Sequence, residues 1–160
     1  MKYLAISKDT KSLSYAVFNN KSLVKFDKIL FTEYDEYKRT KEWYDFVTNL
    51  VKQHEIGILT THWVDLKRFK KKELEKIISV KTILQLVAIE QKVVYLEAKT
   101  SGWEKYITNG KPTNRNKIKI VNEGYGLDLS INYLNVHKGQ QDIADAIILC
   151  EAVAHGRIYV

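Results

Sequence analysis

Two carboxylates toward the C-terminal end have the type and spacing to do chemistry: Asp142 and Asp145, in Gly139-Gln140-Gln141-Asp142-Ile143-Ala144-Asp145-Ala146. Three residues apart on a helix, they stack on one face, where two anionic oxygen donors can share a divalent cation such as Mg²⁺ or Mn²⁺. Such residues also have a plainer use, because an aspartate at a helix start complements the dipole or caps the first N–H groups. The pair raises the question of what else would complete a metal site.

Other residues suit a polyanion. The chain carries 26 Lys and Arg against 19 Asp and Glu, a formal net charge of +7, and clustered cations bind phosphates by releasing counterions. They concentrate in Lys67-Arg68-Phe69-Lys70-Lys71-Lys72 and again in Lys111, Arg115, Lys117 and Lys119. The alternative is a solvated, solubilising face, as on many lysine-rich helices. The lone cysteine, Cys150, lies among Ile147, Ile148, Leu149 and Ala152 and reads as a buried thiol, which favours a reducing, cytoplasmic setting. No signal segment opens the chain, and no apolar run approaches the roughly 18 residues of a membrane span. A soluble protein is expected.

The elements that must position these residues follow from the hydrophobic pattern. The 160 residues, 45% apolar, suit one domain over 1–160. Tyr3 to Ile6, Leu13 to Phe18 and Ser22 to Phe31 read as three antiparallel strands, with Asn19-Asn20 turning the second into the third. Tyr34 to His54 has helical spacing in Trp43, Phe46, Val47, Leu50 and Val51, ahead of a short strand Ile56 to Leu59. A second helix, Lys71 to Gln91, precedes a strand Val93 to Leu96. Pro112 marks a loop, a short helix runs from Arg115 to Glu123, and a long one from Gln141 to His155 closes the order βββαβαβαα.

This order and its motifs resemble the RuvC family of Holliday junction resolvases, in the ribonuclease H-like superfamily, over nearly the whole chain. Leu4-Ala5-Ile6-Ser7, with Lys8-Asp9-Thr10-Lys11-Ser12-Leu13-Ser14-Tyr15-Ala16-Val17 after it, is similar to the family's opening strand, which ends in a catalytic aspartate; here that position reads Ser7. Ile56-Gly57-Ile58-Leu59-Thr60 resembles the strand that ends in the catalytic glutamate, and here that position reads Thr60. Asp142 and Asp145 match the two acidic ligands of the final helix. The resemblance implies an α/β fold with a mixed five-stranded sheet flanked by helices, and an active site with two of its four carboxylates replaced.

That loss has a chemical meaning. A two-metal phosphodiesterase holds two Mg²⁺ ions roughly 4 Å apart with several anionic ligands, and serine and threonine hydroxyls are neutral. With Ser7 and Thr60, the remaining Asp142 and Asp145 would hold Mg²⁺ or Mn²⁺ weakly. Asp9, Asp65, Glu90 and His62 are the neighbours that could compensate, but none restores the pattern. The Lys-Asp-Thr-Lys turn aims Asp9 at solvent, Asp65 and His62 belong to the basic loop, and Glu90 lies at a helix end.

The parts of the resemblance that survive concern binding. Trp63 is similar in place to an aromatic that helps wedge bases apart at a junction, and Lys117 to a lysine near the scissile phosphate. Stacking a base on a ring is worth roughly 1–3 kcal/mol; the structural alternative is that Trp63 and Phe69 pack their loop onto the core, as Trp103 is expected to do. The leading expectation is a homodimeric protein that binds branched DNA through Trp63, Lys67, Arg68, Phe69, Lys70, Lys71, Lys72, Lys111, Arg115 and Lys119, with a degenerate nuclease site. The alternatives are an active Mg²⁺- or Mn²⁺-dependent junction endonuclease, and a repurposed module that binds a protein partner such as a host factor. Small relatives of this kind are common in phages of Gram-positive bacteria, so the resemblance also implies a bacterial cytoplasm and a phage origin.

Overall fold

In the computed structural model, which describes residues 1–9, 11–135 and 139–158, the chain opens with an antiparallel meander of β1 (Lys2–Lys8), β2 (Ser12–Asn19) and β3 (Ser22–Leu30). Asn20 turns β2 into β3 at φ 54°, a left-handed conformation that asparagine tolerates better than most residues. Helix α1 (Glu36–His54) leads to β4 (Ile58–His62), and a single 3₁₀ turn (Leu66–Arg68) leads to α2 (Lys71–Gln91) and β5 (Val94–Ala98). Helices α3 (Ser101–Ile107), α4 (Asn114–Tyr125) and α5 (Gln141–Ala154) follow. The sheet order is β3-β2-β1-β4-β5, with β1, β4 and β5 parallel and β2 and β3 antiparallel to their neighbours.

Strand alternation sorts the core into two layers. Leu4, Ile6, Leu13, Tyr15, Val17 and Leu59 point to one face and meet Trp43, Val47, Leu50 and Val51 of α1 and Leu84, Val87 and Ala88 of α2. Ala5, Ala16, Phe18, Leu96 and Ala98 point to the other face, under α5, which packs with Ile118 and Val121 of α4. Helix α5 is apolar around most of its circumference, from Ile143 to Val153, because sheet and α4 enclose it on separate sides. Cys150 is buried there, and its Sγ lies 3.7 Å from the Tyr3 carbonyl.

Helix ends are set by local chemistry. Asp35 accepts from the Lys38 N–H at the start of α1, and Thr113, just after Pro112, accepts from the Asn116 N–H at the start of α4. Gly126 ends α4 at φ 66°, a conformation that suits glycine. Three expectations need correction. The order omits helix α3, which forms over Ser101–Ile107, where the resemblance implies the start of a short helix, β5 begins and ends later than Val93 to Leu96, and β4 begins two and ends three residues later than Ile56 to Leu59. Ile56 is spent leaving α1, its N–H bonded to the Val51 carbonyl, and Gly57 donates to Lys2, so regular pairing with β1 starts at Ile58.

Candidate functional site

The C-terminal edge of the parallel strands carries a row of polar side chains on the α5 face. Ser7 pairs with Ser14, and Ser14 with Lys28, across β1, β2 and β3. On the other side Ile6 pairs with Thr61, so Ser7 and His62 follow side by side at the ends of β1 and β4, and His62 pairs with Ala98 of β5. The first turns of α5 bring Asp142 and Asp145 over this row, and in open α/β sheets such strand ends are the usual place for a binding crevice.

Each aspartate meets a lysine. Lys28 Nζ donates to Asp142 Oδ2 at 3.2 Å and to the Gly139 carbonyl at 2.9 Å. Lys117, from α4, donates to Asp145 Oδ1 at 2.6 Å. Burial pushes the Asp142 carboxyl above the usual carboxylate range, against the pull of Lys28, and the nearby charges of Asp145 and Asp9 add to the rise. The desolvation of the carboxylate outweighs its ion pair, as is common for enclosed pairs.

His62 belongs to β4 and not, as expected, to the basic loop. Its Nε2 lies 3.9 Å from Glu104 Oε1 of α3, and Glu104 also accepts from the Thr100 hydroxyl at 3.3 Å. Burial holds the imidazole below the ordinary histidine range; Asp145 and Glu104 oppose that shift and Lys117 reinforces it. Thr60 is fully buried one pleat deeper, and its hydroxyl donates to the Leu96 carbonyl at 2.8 Å. The β4 side chain at the level of Ser7 is therefore His62, with Thr60 tied into the sheet below it.

Of the other compensating candidates, Asp9 is half-buried, not aimed at solvent: its Oδ1 accepts from the Lys11 and Ser12 N–H groups at 2.7 and 2.8 Å and shapes the β1–β2 turn. Asp65 starts the 3₁₀ turn by accepting from Lys67, and Glu90 accepts from the Tyr44 hydroxyl on the far side of the sheet. Lys8, next to Ser7 but on the opposite face, lies over Trp43 and Phe31, and burial pushes its ammonium down to about 8.

The metal ions implied by the resemblance do not fit this donor set. Among the described residues no group of three or more His, Cys, Asp or Glu is placed to hold a metal ion. Asp142 and Asp145 are ion-paired, and Ser7 and Ser14 offer only neutral hydroxyls, that of Ser14 buried without a hydrogen-bond partner among the described residues.

The basic residues lie around the same edge. Trp63, the next residue after β4, is 43% exposed, and Lys99 Nζ sits 3.9 Å from its ring centre, a cation–π contact that the sequence reading did not include. Lys67, Arg68, Lys70, Lys71 and Lys72 are exposed through the 3₁₀ turn and the start of α2, while Phe69 among them is half-buried. Lys111, Arg115 and Lys119 are exposed around α4. Trp103 is half-buried against the α5 layer and stacks on Tyr106 at 5.6 Å. Sequence reasoning missed Lys28, Lys99 and Glu104. Lys28 had a usable signal, since its strand places it on the face of Phe26, the inward side of β3.

No protein-family model matches the chain, and no curated protein matches it in sequence. Among solved structures the fold is that of the RuvC type of ribonuclease H-like α/β proteins. The RuvC of Thermus thermophilus is 12% identical, covering 98% of this chain and 96% of that one at a TM-score of 0.72. The same protein in complex with a Holliday junction substrate is 13% identical, covering 98% and 95% at 0.74. The fowlpox virus resolvase with its substrate Holliday junction DNA is 15% identical, covering 98% and 99% at 0.60. At such identities the likeness shows the fold.

Proposed function

We propose that the protein binds branched DNA at the C-terminal edge of its parallel strands and does not cut it by a two-metal reaction. The observation that carries this reading is the state of the acidic pair: Asp142 and Asp145 are held by Lys28 and Lys117, with Ser7 beside them and Thr60 buried below. Phosphodiester hydrolysis of the two-metal kind needs free anionic ligands, and these are committed. Binding needs only cations and stacking surfaces, which exposed Trp63 and the strip Lys67 to Lys72 supply. That solved resolvases of this fold hold Holliday junctions supports a four-way junction as the first substrate to try.

The reading extends to a homodimer. Helix α2 exposes Ile78, Leu86 and Ile89 at helical spacing on the side away from its own core, at 49%, 45% and 74%. A second copy covering this stripe would give two DNA-binding edges, matched to the two-fold character of a junction.

A gel-shift and cleavage assay with labelled four-way junction and matching duplex, in Mg²⁺, Mn²⁺ or EDTA, tests the reading. Junction-selective, salt-sensitive binding of equal strength in all three, without nicks, is expected, and Trp63→Ala should weaken it by about 1–3 kcal/mol. Metal-dependent paired nicks would replace this reading with an active endonuclease, and no DNA binding would turn attention to a protein partner.

A further inference from the structure

The two lysines at the acidic pair are not ordinary surface partners. Lys28 reaches it from β3 and Lys117 from α4, and their side chains are only 8% and 12% exposed. Lys28 is fixed twice, by Asp142 and by the Gly139 carbonyl immediately ahead of α5. Each carboxylate is also largely covered, at 24% and 20% exposure. An enclosed charge with its partner removed is strongly unfavourable, so each lysine and its carboxylate stand or fall together.

We infer that Lys28 and Lys117 are built-in counter-cations: their ammonium groups neutralise Asp142 and Asp145 and close the pair to divalent metal ions. The two ammoniums offset the charge of the two carboxylates they touch, leaving Asp9 and Glu104 as the nearby anions, and their N–H groups occupy Asp142 Oδ2 and Asp145 Oδ1, one oxygen of each carboxylate. Neutral Ser7 and Ser14 add nothing to offset this. The inference rests on the reading of the cleft as one that does not cut, and it explains that state by the two lysines that hold the acidic pair as well as by the neutral Ser7 beside it.

The test is a Mn²⁺ titration of the full chain without DNA, with free Mn²⁺ read by electron paramagnetic resonance. The unaltered protein is expected to show no saturable uptake below millimolar Mn²⁺. Lys28→Met/Lys117→Met should bind Mn²⁺ about tenfold tighter or more, and adding Asp145→Asn should abolish the gain. Lys28→Arg/Lys117→Arg keeps the charges and should stay closed. Uptake by the unaltered chain as tight as that of the methionine variant overturns the inference, and so does a folded methionine variant that gains none. If the methionine variant does not fold, the unaltered protein decides by nuclear magnetic resonance: selective Mn²⁺ broadening of the amide signals from Asp142 to Ala146 refutes the inference, and their persistence supports it. Because DNA is absent, failed junction binding would overturn the proposed function and leave this result standing.

Discussion

His62 sits at the end of β4 beside Ser7, partly enclosed, with an imidazole held below the ordinary histidine range mainly by burial. The sign of its effect follows from linkage. Below about 6.5 the unfolded chain takes up a proton there that the folded chain refuses, so folding loses stability as pH falls through that window. His62→Gln should therefore flatten the fall in melting temperature between about pH 7.5 and about pH 5.5, relative to the unaltered protein. An unchanged difference between the two pH values would mean that His62 titrates as freely as in the unfolded chain. His54, also shifted down by burial, is present in both proteins and cancels from the comparison. The aspartate pair was legible because its spacing is local, whereas its lysine partners were not: Lys28 is 114 residues from Asp142 and Lys117 is 28 from Asp145. No helical or strand period links such positions; only the packing of β3 and α4 around the start of α5 does.

At the level of elements, long periodic segments were the most readable. Helix α2 spans Lys71–Gln91 as its spacing predicts, and the β-meander follows from alternation and the Asn19-Asn20 turn. Strand β4 was harder, because the apolar run Ile56 to Leu59 straddles the exit from α1 and the strand itself continues through Thr60, Thr61 and His62. Because side chains alternate, Thr60 and His62 share a face, and the later strand end puts His62 beside Ser7 with Thr60 beside Ala5 below it. The loop into α5 offers a test of how tightly the elements fix the site. A Cβ on Gly139 would come within 2.9 Å of the Asn132 backbone nitrogen, and Gly139 supplies the carbonyl that anchors Lys28. Gly139→Ala should cost about 1–3 kcal/mol in chemical denaturation. Gly124→Ala, inside α4 where a Cβ meets nothing within 4 Å, should instead gain about 0.5–1 kcal/mol. Equal effects at the two sites would show that the loop gives way and does not hold Lys28 in place.

For the whole molecule, two exposed surfaces matter, one basic with aromatic and apolar residues among its cations and one an apolar stripe. The basic residues and Trp63 ring the cleft edge, while Ile78, Leu86 and Ile89 project from α2. If α2 is the dimer seam, Ile78→Glu/Ile89→Glu should halve the mass seen by light scattering and leave far-ultraviolet circular dichroism unchanged; a mass unaffected by both charges rules this seam out. The fold as a layered α/β sheet was readable from sequence because amphipathic order and motif resemblance agreed. The proposed seam has no such signal, since the same residues in α2 show the period of a helix buried on one side whether the other side meets water or a partner.

The position of α5 carries one more consequence. Helix α5 covers β1 and β2 and completes the layer around Ala5, Ala16 and Phe18. During synthesis β2 is complete at Asn19 and its lid only begins at Gln141, so the meander waits with an apolar face uncovered while the elements between are made. A product truncated ahead of Gln141 should leave that face uncovered and be prone to aggregate, with the acidic pair missing as well.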